Sequence, residues 1–383
     1  MPNLRSLIRT LLVALIVLNC AACHQRRATD MEAFTVEVYT PRYAKGFTIV
    51  GSEQGTSSIL RVSNPWQGAE GVEAELFISR NGEKAPDGFN GQIIEGAAKR
   101  VVCMSSSYVA MLDFVGEVES VVGVSGIDFI SNEYVVSHRD KVFDIGQDSD
   151  ANYELIVALD PDIVLLYGIT GACAMESKLR ELGIPYAYIG EYLEEDPLGK
   201  SEWLIAIAEI MGCRTKAEAQ FAEIPQRYEE LRALAAKANT PQPKVMINTP
   251  YADSWFMASA SSYIARLIAD AGGDYIYKRN TANSSLPIDL EVATQLTSAA
   301  DVWINVGSIS SLTELRSRFP KFGDVKCVLN GEVYNCDKQL SASGGNDYWE
   351  SGVVHPDIIL RDMIKIFHPE LIAEEFVYYR RLE

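Results

Sequence analysis

Several things are scarce in this chain, and each scarcity excludes a class of function. No stretch of its 383 residues approaches the ~20 consecutive apolar residues that a membrane-spanning helix needs. Basic side chains are in deficit: Lys and Arg total 34 against 52 Asp and Glu, a formal charge of −18. That balance disfavours nucleic acid and acidic membrane surfaces as partners, although a local patch can oppose the global sign. Histidine occurs four times, at His24, His138, His355 and His368, with no metal-ligand spacing. The Ser105 to Ser107 run lacks a Gly-x-Ser-x-Gly nucleophile elbow and has no histidine nearby in sequence. No glycine-rich phosphate loop is present. These absences argue against an enzyme, a metal-ion carrier and a resident cofactor, and leave a binding protein.

The first residues form a processing signal. Arg5 and Arg9 give a positive start, Leu11 to Leu18 an apolar segment too short to span a bilayer, and Ala21-Ala22-Cys23 a small-residue cleavage site. Cysteine after two alanines resembles a bacterial lipoprotein lipobox, which makes Cys23 the expected lipidated first residue of the mature protein. Cys20, behind Asn19, is the alternative. The expected location is outside the membrane, periplasmic, held by a lipid anchor alone. Removal of Cys20 and lipidation of Cys23 leave five cysteines, an odd number. Cys103 and Cys213 read as small core residues. Cys327 and Cys336 flank Asn330-Gly331, a hairpin signal, and an exported protein permits a disulfide between them.

At this length two lobes are expected. Residues 24–33 read as a polar tether. From Phe34, alternating apolar positions separated by Gly, Asn or Pro read as an antiparallel meander. Val101-Val102-Cys103-Met104, the Ser105 to Ser107 break, a helical pattern from Tyr108 to Val115 and the run Val121 to Val124 form a βαβ unit whose strands suit a sheet covered on both faces. A second unit pairs a helix at 152–159 with a strand at 163–168. Ser105 to Ser107 and Tyr167 fall at strand ends, where ligands of open parallel sheets collect. The apolar stripe Ala219, Phe221, Ile224, Tyr228, Leu231, Leu234 predicts one long helix from Thr215 to Lys237. The second half repeats the plan, with a strand at 244–248, a helix at 288–296 and a strand at 302–307. The fold class is therefore α/β, with a mainly parallel sheet in each of two lobes. The divisions are 1–22 signal peptide, 23–96 tether and N-terminal β region, 97–213 N-lobe, 214–240 linker helix and 241–383 C-lobe.

Arg100-Val101-Val102, Gly123-Val124, Asp144-Ile145-Gly146 and above all residues Asn152 to Val164 resemble the N-terminal lobe of the substrate-binding proteins of ABC importers for ferric siderophores, haem and cobalamin. The likeness continues, more weakly, to the C-terminus. It implies two lobes joined by one helix, and capture of an iron complex, haem or a corrinoid for delivery to a membrane permease with its ATPase. A monomer is expected. The matching positions imply that Glu154 and Glu291, one per lobe, dock onto permease arginines. They also place ligand contacts at Ser105, Ser106, Ser107, Tyr108 and Tyr167 of the first lobe, and at Tyr251, Trp255, Phe256, Tyr348 and Trp349 of the second. His138 and His355 adjoin loops and are candidates for axial ligation of haem. An enzyme on the same scaffold, or a non-transport surface sensor or assembly factor, are the rival readings.

Overall fold

The structure, a computed structural model, describes residues 31–383 apart from 283. The signal segment, Cys20, Cys23 and the tether before residue 31 lie outside the described residues. The alternating pattern after Phe34 forms β1 (Val36–Tyr39), β2 (Phe47–Gly51), β3 (Ser58–Ser63) and β4 (Glu73–Ser79), joined in order as antiparallel neighbours. A fifth strand that the sequence pattern does not announce, β5 (Gln92–Glu95), adds in parallel to β4. Period two gives this sheet two apolar faces. Phe47, Ile49, Leu60, Val62, Leu76 and Ile78 enter the main core of the molecule, whereas Phe34, Val50, Ile59 and Phe77 form a small separate cluster with Phe89.

The N-lobe holds β6 (Val101–Cys103), β7 (Val121–Val124), β8 (Phe143–Asp144), β9 (Ile163–Leu166) and β10 (Tyr186–Tyr188). Its order is β10-β9-β6-β7-β8, all parallel. The chain starts in the middle, at β6, builds towards one edge, then returns to β9 on the other side. The carboxyl ends of β6 and β9 are therefore a topological switch point. The C-lobe strands are β11 (Lys244–Ile247), β12 (Ser254–Met257), β13 (Asp274–Tyr275), β14 (Leu286–Asp289), β15 (Val302–Ile304), β16 (Val333–Asn335) and β17 (Arg380–Arg381). Its main sheet runs β13-β11-β15-β16-β17, parallel save for β17, with a switch point between β11 and β15. Strands β12 and β14 pair as a separate antiparallel ribbon.

The internal repeat extends to hydrogen bonds. Asp162 accepts from Arg100 N at 2.9 Å and returns its own N–H to Arg100 O; Asp301 does the same with Lys244, at 2.9 and 2.8 Å. Each aspartate thus ties the start of the second strand beside the switch point to the start of the first.

Two expectations change. The linker is not one rod: it runs Arg214–Phe221 and then Glu223–Ala235. Pro225 has no N–H to offer the carbonyl of Phe221, so the hydrogen-bond ladder breaks there. Asn330-Gly331 does not turn a hairpin, because Lys326–Leu329 is helical. Glu332 N reaches back to Cys327 O at 2.7 Å and Gly331 takes φ 70°, so the pair ends a helix. Cys327 and Cys336 are buried free thiols, as is Cys103.

Candidate functional site

The two lobes meet carboxyl end to carboxyl end. The loop after β7 touches the loop after β16: Ser131 N and Asn132 N each donate to the Glu350 carboxylate at 2.7 Å, and Ser131 Oγ lies 3.1 Å from Asp347 Oδ1. A Cβ on Gly345 would stand 2.7 Å from the carbonyl carbon and oxygen of Ile130, so only glycine allows this approach. On another side, Ser261 Oγ donates to Glu195 Oε1 at 2.6 Å. At the linker, Arg227 Nε reaches Asp357 at 2.7 Å and Tyr228 OH reaches Asp270 at 2.8 Å. A cavity of about 540 Å³ lies beside the first contact, between Phe114 and Asn132 of one lobe and Ser341, Asp347 and His355 of the other.

Segments that follow the strand ends also present apolar side chains to solvent. Tyr251 is 78% exposed, Trp349 56% and Phe256 43%, all from the C-lobe. Phe129, 68% exposed, comes from the N-lobe loop after β7. Asp144 holds that loop by accepting from Gly126 N and Ile127 N at 3.0 and 3.1 Å. Phe129 was not among the sequence candidates, although it lies in the loop that follows the run Val121 to Val124, as Ser105 lies in the loop that follows β6. Tyr167, half-buried, directly follows β9 at the switch point, where the register sets it opposite Ser105.

Four expected ligand contacts are instead structural. Tyr108 is fully buried, its hydroxyl donating to Ile189 O at 2.9 Å, because the fourth residue of the Ser105-capped turn faces back under the sheet. Ser107 is buried and donates to Glu191 at 2.7 Å; burial pushes the Glu191 carboxyl up, with Lys200 and Ser107 pulling it back. Trp255 points inward from β12, donates Nε1–H to Ile247 O at 2.9 Å and packs on Trp303 and Phe322. Strand alternation leaves its neighbour Phe256 outside. Tyr348 is buried among Trp349, Tyr378 and Tyr379. Its ring meets the exposed indole of Trp349 edge-on at 4.7 Å.

Two histidines adjoin the loops as the sequence suggests. His138 stacks on Tyr134 and pairs with its carbonyl at 2.9 Å. His355 is packed against Phe114, and burial holds its pKa below the usual value. Among the described residues no cluster of three His, Cys, Asp or Glu could hold a metal ion.

Glu154 and Glu291 share one local design. Asn152 caps the Tyr153–Leu159 helix through Leu155 N at 3.0 Å; Asp289 caps the Leu290–Ala299 helix through Glu291 N and Val292 N at 2.9 and 2.8 Å. Each glutamate lies two residues past its cap and is exposed. Preceding Glu291, Leu286–Asp289 is strand and not the start of the helix.

A family model for periplasmic binding proteins matches residues 101–340. The chain belongs to the periplasmic binding protein family. Its relatives include an uncharacterized lipoprotein of Methanocaldococcus jannaschii, 27% identical over 86% of this chain and 82% of that one. A cobalamin-binding protein of Halobacterium salinarum is 28% identical over 53% of each chain. Among solved structures, a periplasmic haem-binding protein from Pseudomonas aeruginosa superposes with a TM-score of 0.59 at 16% identity, covering 75% of this chain and 98% of the other. A haem-binding protein from Roseiflexus gives 0.56 at 20% identity, over 72% and 100%. This periplasmic binding protein therefore has the fold of those haem-binding proteins, and its residues 31–100 lie before the family match.

Proposed function

We propose that this protein is the receptor of an ABC importer, capturing a bulky metal complex (a corrinoid, haem or a ferric siderophore) and presenting it to a membrane permease. The observation that carries the reading is that the segments following the strand ends of both lobes carry aromatic rings: half-buried Tyr167 and exposed Phe129 in one, exposed Tyr251, Phe256 and Trp349 in the other. A large, partly apolar ligand would bury those rings at once, which a small ion could not do. Ser105 and Ser106 supply hydrogen bonds at the floor. The names of the relatives, cobalamin-binding and haem-binding, point the same way. Glu154 and Glu291 are the permease contacts in this reading, and Cys23 carries the lipid that keeps the receptor at the membrane. Native mass spectrometry of the purified protein with haem, cyanocobalamin and a panel of ferric siderophores tests it. One of them should give a one-to-one adduct; a protein that stays unliganded with all of them is not this receptor.

A further inference from the structure

Behind the N-lobe switch point runs a short chain of hydroxyl groups that ends on a buried acid. Ser105 follows β6 and caps the Ser106–Val115 helix. Its Oγ lies 2.8 Å from Ser107 Oγ, and Ser107 Oγ donates to Glu191 Oε1 at 2.7 Å. Glu191 comes from the segment after β10, so the chain of hydroxyls joins two strand ends. Tyr108 holds the helix in place, its hydroxyl reaching Leu166 O at 3.2 Å and Ile189 O at 2.9 Å. Met104 N still donates to Leu165 O at 3.1 Å, which continues the β6–β9 pairing as far as Ser105 and Tyr167. Glu191 and Ser107 are buried, whereas Ser105 is partly exposed. Only the Ser105 end can therefore meet a ligand.

Counting hydrogens gives the chain a direction. A serine hydroxyl has one hydrogen to give and two lone pairs to receive, and a carboxylate only receives. Ser107 spends its hydrogen on Glu191, so towards Ser105 it can only accept. Ser105 spends its hydrogen on Ser107 and is left with lone pairs. Ser107 N approaches one of them at 3.4 Å, longer than a well-formed cap. Burial pushes the Glu191 carboxyl up, while Lys200 and the N–H groups of Glu191 and Tyr192 favour its charged form. A proton on Oε2, which has no partner, leaves Oε1 accepting all the same. The neighbouring sequence has the same bias. Residues 104–106, 125–132, 145–152, 167–174 and 189–195, which follow the five N-lobe strands, contain no lysine or arginine. A ligand carboxylate finds no cation in these segments to offset it.

We propose that Glu191 and Ser107 are positioning residues that fix Ser105 as a hydrogen-bond acceptor. The receptor then selects a ligand that presents an N–H or O–H group at the end of β6, and discriminates against one that presents a carboxylate there. The inference rests on the receptor reading above and deepens it by stating which group the ligand must offer.

Titrating the full protein with matched donor-bearing and acid forms of the same complexes tests both levels. The pairs are haem bis-amide and haem, cyanocobalamin and its monocarboxylic acid, and ferrioxamine B and its N-succinyl derivative. In a pair that binds, the donor-bearing form should bind about tenfold tighter or more. Ser107→Ala cuts the chain, and the isosteric Glu191→Gln supplies an N–H that can reverse it. Each should narrow the ratio severalfold. A general loosening of the site would weaken both forms alike and leave the ratio where it was. Equal or inverted affinity in the wild type, or a ratio that neither substitution moves, overturns the inference and leaves the receptor reading standing. No binding of any of the six compounds removes the receptor reading itself.

Discussion

Glu350 joins the lobes at the cost of burying a carboxyl group. It accepts two N–H groups from the opposite lobe, yet burial, with Asp347 nearby adding to the effect, pushes its pKa up to about 7. The folded protein therefore holds a proton that the unfolded chain releases near pH 4.5. This group's contribution to stability is complete below that pH and is lost as pH rises through about 7, a change of up to ~3 kcal/mol at ~1.4 kcal/mol per unit. Glu350→Gln removes the titration. The difference in unfolding free energy between variant and wild type should move in the variant's favour from pH 4.5 to 8; parallel pH profiles from urea melts would show that Glu350 is not desolvated. The same scale separates the two aromatic neighbours in function. Trp255→Ala empties a core site and should cost about 3–5 kcal/mol. Tyr251→Ala, at an exposed ring, should change stability by no more than ~0.5 kcal/mol and be felt in ligand affinity instead. Titration and urea melts of both variants check the division, which fails if Tyr251→Ala binds as wild type does.

The elements show what sequence pattern can and cannot convey. Both parallel sheets were legible because their strands are continuous apolar runs broken by helical spacing, and the Asp162 and Asp301 repeat was visible as letters before it was a pair of hydrogen bonds. The linker was legible as an apolar stripe, but a stripe survives a kink, so Pro225 went unread. Asn330-Gly331 misled because a left-handed glycine serves a helix end as well as a hairpin. Within the site, strand-end position was readable and side-chain direction was not: Trp255 and Phe256 are adjacent letters that β12 sends to opposite faces. The attachment of the N-terminal sheet was least legible, since it rests on contacts across some 160 residues. Glu202 accepts from Arg42 N, Tyr43 N, Ala44 N and Tyr39 OH at 2.7 to 2.8 Å. Glu202→Ala leaves three backbone donors without their acceptor in a partly buried seam, an expected loss of ~3 kcal/mol or more. Limited proteolysis should then cut near residues 40–46, and uncut chains at unchanged stability would mean that the apolar face alone holds the sheet.

At the scale of the molecule, two acidic helix starts stand exposed on separate lobes, each set two residues beyond an Asx cap. A carboxylate in that position gains only ~0.3–1 kcal/mol from the helix dipole, too little to explain a shared design as a stability device. Rigid lobes keep such charges at a fixed spacing, which is what orientation of a basic partner requires. The Glu154→Arg, Glu291→Arg double variant should therefore fold, with a thermal midpoint within a few degrees of wild type, and should bind its ligand with unchanged affinity. Ligand-dependent uptake by cells carrying it should fall to background, and each single variant should lie between. If, as proposed, the charges act on the partner and not on the cleft, affinity and uptake must separate. A double variant that loses affinity, or that transports normally, would place the permease contact elsewhere on the surface.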